Sequence, residues 1–108
     1  MKSLKFWDPL PDLILKGEKT VTWRVNDEKN IEKNDRILLC RKDGTIFAKA
    51  VVVKVKKTKF KYLNLKSKGH EKFSSKQNMY KKYSEYYGFP VVPDTPVKII
   101  TFKLVKDN

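Results

Sequence analysis

The chain has 108 residues, with 25 Lys and Arg against 12 Asp and Glu, a formal net charge of +13 spread along its length. That length makes one domain with a single modest core and leaves no room for a second. No apolar run approaches the ~20 residues of a membrane span, and a lone Cys with a single His excludes both an internal disulfide and a Cys/His zinc cluster.

Taken in chain order, Leu4-Lys5-Phe6 reads as a first strand. Pro9-Leu10-Pro11 followed by Asp12 to Gly17 reads as a helix of one to two turns, with Pro at its start and Gly at its end. Met1 to Leu4 runs straight into Phe6-Trp7 without the apolar core of a secretion signal, so a cytoplasmic protein is expected. Thr20 to Val25 alternates as a strand, placing Thr20, Thr22 and Arg24 on one face and Val21, Trp23 and Val25 on the other. Lys19 lies three residues before Thr22, so an ideal pleat sends the two to opposite faces unless Lys19 belongs to the turn after Gly17. The same pattern also fits a half-buried strand with one solvated side.

Asn26 to Asn34 is a polar loop, and Arg36 to Cys40 is the next strand, with Cys40 expected as a core thiol. Asp43-Gly44 signals a tight hairpin into a long strand from Thr45 to Val55, where Ala48 and Ala50 permit close packing as it bends. Lys59 to Leu65 looks like a helical turn. A firmer helix runs to about Tyr87, with Ser74 as N-cap, Gln77 at the capping-box position and Gly88 as the stop. Met79, Tyr80, Tyr83 and Tyr87 recur at helical spacing, so the stripe reads as packing rather than as a base-stacking platform. Val97 to Leu104 closes the chain as a strand. This order of elements favours an α+β fold, a small mixed β-barrel with two to three helices flanking a cleft at its rim.

The charge favours polyanionic partners, and a lysine-rich solvated surface is the plain alternative. Lys49, Lys54, Lys56, Lys57 and Lys59 form a basic row, and Trp7 is among the aromatics able to stack a base. His70, beside Glu71, suits either a proton shuttle or an exposed loop position, the latter being commoner.

The run Leu13-Ile14-Leu15-x-Gly17-x-Lys19-Thr20-x-Thr22-x-Arg24, then Asn34-Asp35, Glu71-x-Phe73-Ser74 and Val97-x-x-Ile100-x-Phe102-x-Leu104, resembles an ASCH domain of the PUA-like superfamily across almost the whole of 1–108. Asn34-Asp35 stands where Gly-Asp is more usual, and Lys72 adds charge at the cleft edge. The resemblance implies a barrel of five to six strands beside a positive cleft, with RNA binding or nucleotide chemistry as the function. Some members deacetylate N-acetylated cytidine with a lysine, a threonine and a glutamate, and the matching positions here are Lys19, Thr22 and Glu71. Others are described as ribonucleases.

In the amidohydrolase reading Thr22 attacks the amide carbonyl with Lys19 as its base, while Glu71 handles the leaving amine or holds an amino edge and Arg24 holds oxygen. A free nucleoside has no phosphate to reward this many lysines, whereas an oligonucleotide rewards each through counterion release. RNA or another nucleic acid therefore ranks first as ligand, held by Arg24, Trp7, Thr20, Lys72, Lys57 and Lys59. Amide hydrolysis ranks second and RNA cleavage third. No metal or cofactor is expected, no membrane association, and a monomer.

Overall fold

The computed structural model describes residues 1–106. Five strands form one mixed sheet: β1 (Lys2–Phe6), β2 (Val21–Arg24), β3 (Arg36–Arg41), β4 (Ile46–Lys59) and β5 (Pro96–Val105), in the order β1-β3-β4-β5-β2. The β1–β3 pair is parallel and the other three pairs are antiparallel. Two helices, α1 (Leu10–Leu15) and α2 (Lys76–Tyr87), and a 3-10 turn (Phe60–Tyr62) complete it. The sheet curls into a half-barrel, so the small mixed α+β fold expected from the sequence is the one observed.

Curvature comes from β4, which runs four residues beyond the expected Val55 because its second half stays paired with β5 out to Lys59↔Pro96. Its register shifts between Val52 and Lys54, and that bulge bends the strand from β3 toward β2. Asn34, in the left-handed region at φ 76, donates its amide to Val52 O, while Val52 N donates to Asp35 O. An asparagine tolerates this conformation, so the turn forms without glycine.

Two apolar clusters fill the molecule. One lies inside the half-barrel, with Phe6, Ile37, Leu39, Val52, Ile100 and Phe102, and Cys40 is buried beside it as a free thiol. The other lies under α2, with Trp23, Phe60, Phe73, Met79, Tyr83 and Val97. Because β2 runs along the boundary between them, both Thr22 and Trp23 are buried, and the strand has no solvated side.

The α2 N-cap is Ser75 rather than Ser74: its Oγ accepts from Asn78 N at 3.0 Å, so the helix begins one residue later than the capping-box pattern predicts. Gly88, at φ 73, ends the helix with its amide donating to Ser84 O. No helix is long and apolar enough to cross a membrane among the described residues.

A candidate base-binding cavity at the barrel seam

The sheet order leaves β1 and β2 as its two unpaired edges, and a cavity of about 160 Å³ opens where they face each other. Lys5, Phe6 and Trp7 line it from β1, and Thr22, Trp23 and Arg24 from β2. Leu10 and Glu71 contribute from loop and helix ends, and Tyr83, Tyr86 and Tyr87 from α2. Arg24 spans the seam where a ladder would otherwise run. Its Nη2 donates to Lys5 O at 2.9 Å, its guanidinium lies 4.7 Å from the Phe6 ring centre, and its Nε donates to Thr22 Oγ1 at 3.2 Å.

Lys19 reaches this region through the turn that ends α1. Gly17, at φ 80, lets its own amide bond Ile14 O while the Glu18 and Lys19 amides both bond Leu13 O, a Schellman-type closure. The chain then points the Lys19 side chain inward, where the residue is 3% exposed. Its Nζ donates to Glu71 Oε2 and to Val21 O, each at 2.6 Å.

Glu71 arrives from the loop before α2, which is locked onto β2. Gly69 O accepts the amides of Thr20 and Val21 at 2.8 and 3.1 Å, and Gly69 itself sits at φ 77 against the Thr20 side chain. A Cβ at Gly69 would stand 2.2 Å from Thr20 Oγ1, so this close approach requires glycine.

Burial pulls the Lys19 ammonium down from 10.5 to about 8, with Glu71 opposing and Arg24 reinforcing that fall. Burial pushes the Glu71 carboxyl up, but the adjacent Lys19 outweighs it and the group lies below the usual carboxylate range. Near pH 7 the pair is therefore charged, with about one Lys19 in ten neutral. Burial likewise lowers Arg24, and it raises the Tyr83 hydroxyl well above 10.

Of the residues singled out in the sequence, Thr22, Glu71, Arg24 and Trp7 line one cavity, and Lys19 stands behind Glu71. Lys19 bonds Glu71 and Val21 O and not Thr22, so the amine does not stand as the direct base of the Thr22 hydroxyl. Thr20 instead packs on Gly69. Lys72 does not extend over the cleft: its Nζ staples the loop through Ser67 O and His70 O. Lys59 lies 4.0 Å from Asp94 and does not line the cavity.

A second groove, about 260 Å³, is lined by Lys57, Thr58, Lys98, Asn26 and Asn30, and it shares Arg24 with the first. Lys98 there is bound to Asp27 at 2.7 Å and to Ile31 O at 2.9 Å, which leaves Lys57 as its exposed cation.

The exposed histidine expected at position 70 is instead buried, at 4%. Its ring stacks on Trp23 with centroids 3.7 Å apart, Nδ1 meets Glu71 O at 3.1 Å and Nε2 meets the Tyr83 hydroxyl at 3.2 Å. Burial, then the charge of Lys19, lower it from 6.5 to about 4, so it is neutral at pH 7. The tyrosine stripe both packs and lines the site. Tyr83 belongs to the core under α2, and together with Tyr86 and Tyr87 it forms one cavity wall. A three-and-four spacing along one helix was visible in the sequence, but nothing there said that the stripe faced the seam.

Comparison with known proteins gives a match to the ASCH domain family over residues 4–99. The chain is similar in structure to protein EF3133 from Enterococcus faecalis V583, at 14% identity and a TM-score of 0.74 over 97% of this chain and 76% of that one. An ASCH domain from Lactobacillus crispatus JV V101 matches at 18% identity and a TM-score of 0.59, over 87% of this chain and 69% of that one. Protein PF0455 from Pyrococcus furiosus matches at 17% identity and a TM-score of 0.64, over 98% of both chains. No curated protein matches the sequence.

Proposed function

The chain belongs to the ASCH domain family, and on that premise we propose that it binds RNA by taking a single base into the seam cavity. The carrying observation is the cavity's size and lining. An apolar cavity of ~150 Å³ holds a benzene ring, so about 160 Å³ suits one six-membered heterocycle and leaves the sugar outside. Trp7 and Tyr86 meet edge to face at the lining, at 5.5 Å, offering aromatic surface to an entering ring. Thr22, Arg24 and Glu71 supply polar groups for its edge. Arg24 and the groove containing Lys57 lie where a flanking phosphate would follow, which favours a polynucleotide over a free nucleoside. Titration of a short single-stranded RNA at increasing salt tests this. Affinity falling steeply with salt, and lost in Trp7→Ala, supports it; binding indifferent to Trp7 overturns it.

A second reading, hydrolysis of an N-acetylated amino group on such a base, is favoured by the buried Lys19–Glu71 pair. Arg24 already donates to Thr22 Oγ1, so the threonine proton is free to leave. Attack of Oγ1 on the amide carbon would transfer the acetyl group to Thr22 and release the amine, and water would then free acetate. Glu71 is the cavity group able to take the threonine proton and return it to the amine, with Lys19 holding it ionised. Acetate release from N-acetylcytidine, abolished in folded Lys19→Ala and Thr22→Ala, supports this reading; no release from the wild-type protein removes it.

A further inference from the structure

Three cations stand in a single row across the sheet. In the β4–β5 register Lys57 lies opposite Lys98, and in the β2–β5 register Lys98 lies opposite Arg24. Directly opposed residues of antiparallel strands point to the same face, and all three line the second groove. Like charges opposite one another across a ladder repel, so the row calls for counter-charge.

The protein supplies one carboxylate, and it is fully used. Asp27 Oδ2 accepts from Lys98 Nζ and from Ile31 N, each at 2.7 Å, while Oδ1 accepts from Lys29 N at 3.2 Å. Among the described residues no carboxylate lies within 4.0 Å of Lys57 or Arg24. Arg24 spends Nε on Thr22 and Nη2 on Lys5 O, which leaves most of its five N–H donors without a protein acceptor. Asn26, exposed at φ 52, brings a neutral side-chain amide to the same groove.

Three cations against one carboxylate leave the row two positive charges in excess. An internal phosphodiester would bring a single negative charge, whereas a phosphate monoester carries about −1.5 to −2 at pH 7. We propose that the row is a phosphate-monoester site, so that the protein takes a nucleotide bearing a terminal phosphate, with the base in the seam cavity and the phosphate against Arg24, Lys57 and Asn26. This deepens the base-binding reading and rests on it for the base. Arg24 joins the two halves because it lines both cavities, and its guanidinium suits paired bonds to phosphate oxygens.

The test compares one short RNA sequence with a 5′-phosphate, with a 3′-phosphate, and with hydroxyls at both ends, at constant salt. One phosphorylated form should bind about tenfold more tightly than the unphosphorylated RNA, as expected for a charge-assisted hydrogen bond. Lys57→Gln should cut that ratio to about threefold or less, while Lys56→Gln, an equal charge change at an exposed lysine outside the groove, should leave it unchanged. Equal loss in the two variants, or equal affinity of all three RNAs, overturns the phosphate site and leaves base binding intact. Uridine monophosphates against uridine distinguish the sources: the same gain there supports the site with a free nucleotide as ligand, and a gain confined to the oligomer supports it with an RNA end. Binding of no RNA overturns the base reading, and inorganic phosphate then decides the row. Amide shifts at Asn26, Lys57 and Lys98 that vanish in Lys57→Gln support it, and no shift overturns it.

Discussion

Removing the Glu71 charge should destabilise the protein in a way that disappears at high pH. Lys19 is 3% exposed and its ammonium has one carboxylate partner, with Glu71 itself about a quarter exposed at 24% of its side chain. Breaking one side of a buried ion pair costs ~3–5 kcal/mol when the other charge must stay, but with a value of about 8 Lys19 can give up its proton at pH 7 for ~1.4 kcal/mol, so the expected cost of Glu71→Gln at pH 7 is about 1–2 kcal/mol. Glu71 is what opposes burial in setting the Lys19 value of about 8, so the variant drives that value lower and Lys19 sheds its proton at neutral pH. At pH 9.5 the wild-type Lys19 is already almost wholly neutral, and the difference between the proteins should shrink below ~1 kcal/mol. Urea unfolding of both proteins at the two pH values measures this. A cost equal at pH 7 and pH 9.5, or below ~1 kcal/mol at pH 7, would refute a buried charged pair.

Acid should reveal His70. Its folded value of about 4 lies below the unfolded 6.5, so the unfolded chain binds the proton first and stability falls as pH drops between them, by about 3 kcal/mol in total. His70→Phe should lack that component when unfolding is followed from pH 7 to pH 4. Gly69→Ala should lose about 2 kcal/mol or more in thermal or urea unfolding, because of the contact with Thr20 Oγ1 and the positive φ. Adding Thr20→Ala should recover the contact's share and leave ~1 kcal/mol from the backbone. Lys57→Gln should weaken RNA binding and lower the slope of log affinity against log salt by ~1; an unchanged slope would separate the second groove from the ligand.

The succession of strands and helices along the chain and the tight turns were legible in the sequence because they rest on local chemistry, such as Asp43-Gly44 at the hairpin and Gly88 after α2. The Lys19, Thr22 and Glu71 positions came from motif spacing, while their arrangement depended on contacts between residues far apart in the chain. The Schellman closure at Gly17 and the Gly69 bonds to β2 turn Lys19 inward and bring Glu71 to it across 52 positions. His70 was misjudged because a polar loop predicts exposure, and only the Trp23 face and the Tyr83 hydroxyl make its burial favourable. The cap lies at Ser75 rather than Ser74: two serines in a row offer equivalent oxygens in sequence, and it is Ser75 that takes the extended backbone and accepts from Asn78 N. The cavity had no signal along the chain, since it arises from the unpaired edges of β1 and β2 meeting Tyr83, Tyr86 and Tyr87.

The most direct measurement of the central claim is an NMR titration with a short single-stranded RNA, following the Trp7 and Trp23 indole N–H groups and the Thr22 methyl. The account predicts shifts at all three at RNA concentrations that also perturb Lys57. Shifts confined to Lys57 and the neighbouring lysines of β4, with Trp7, Trp23 and Thr22 unmoved, would contradict a base in the seam cavity.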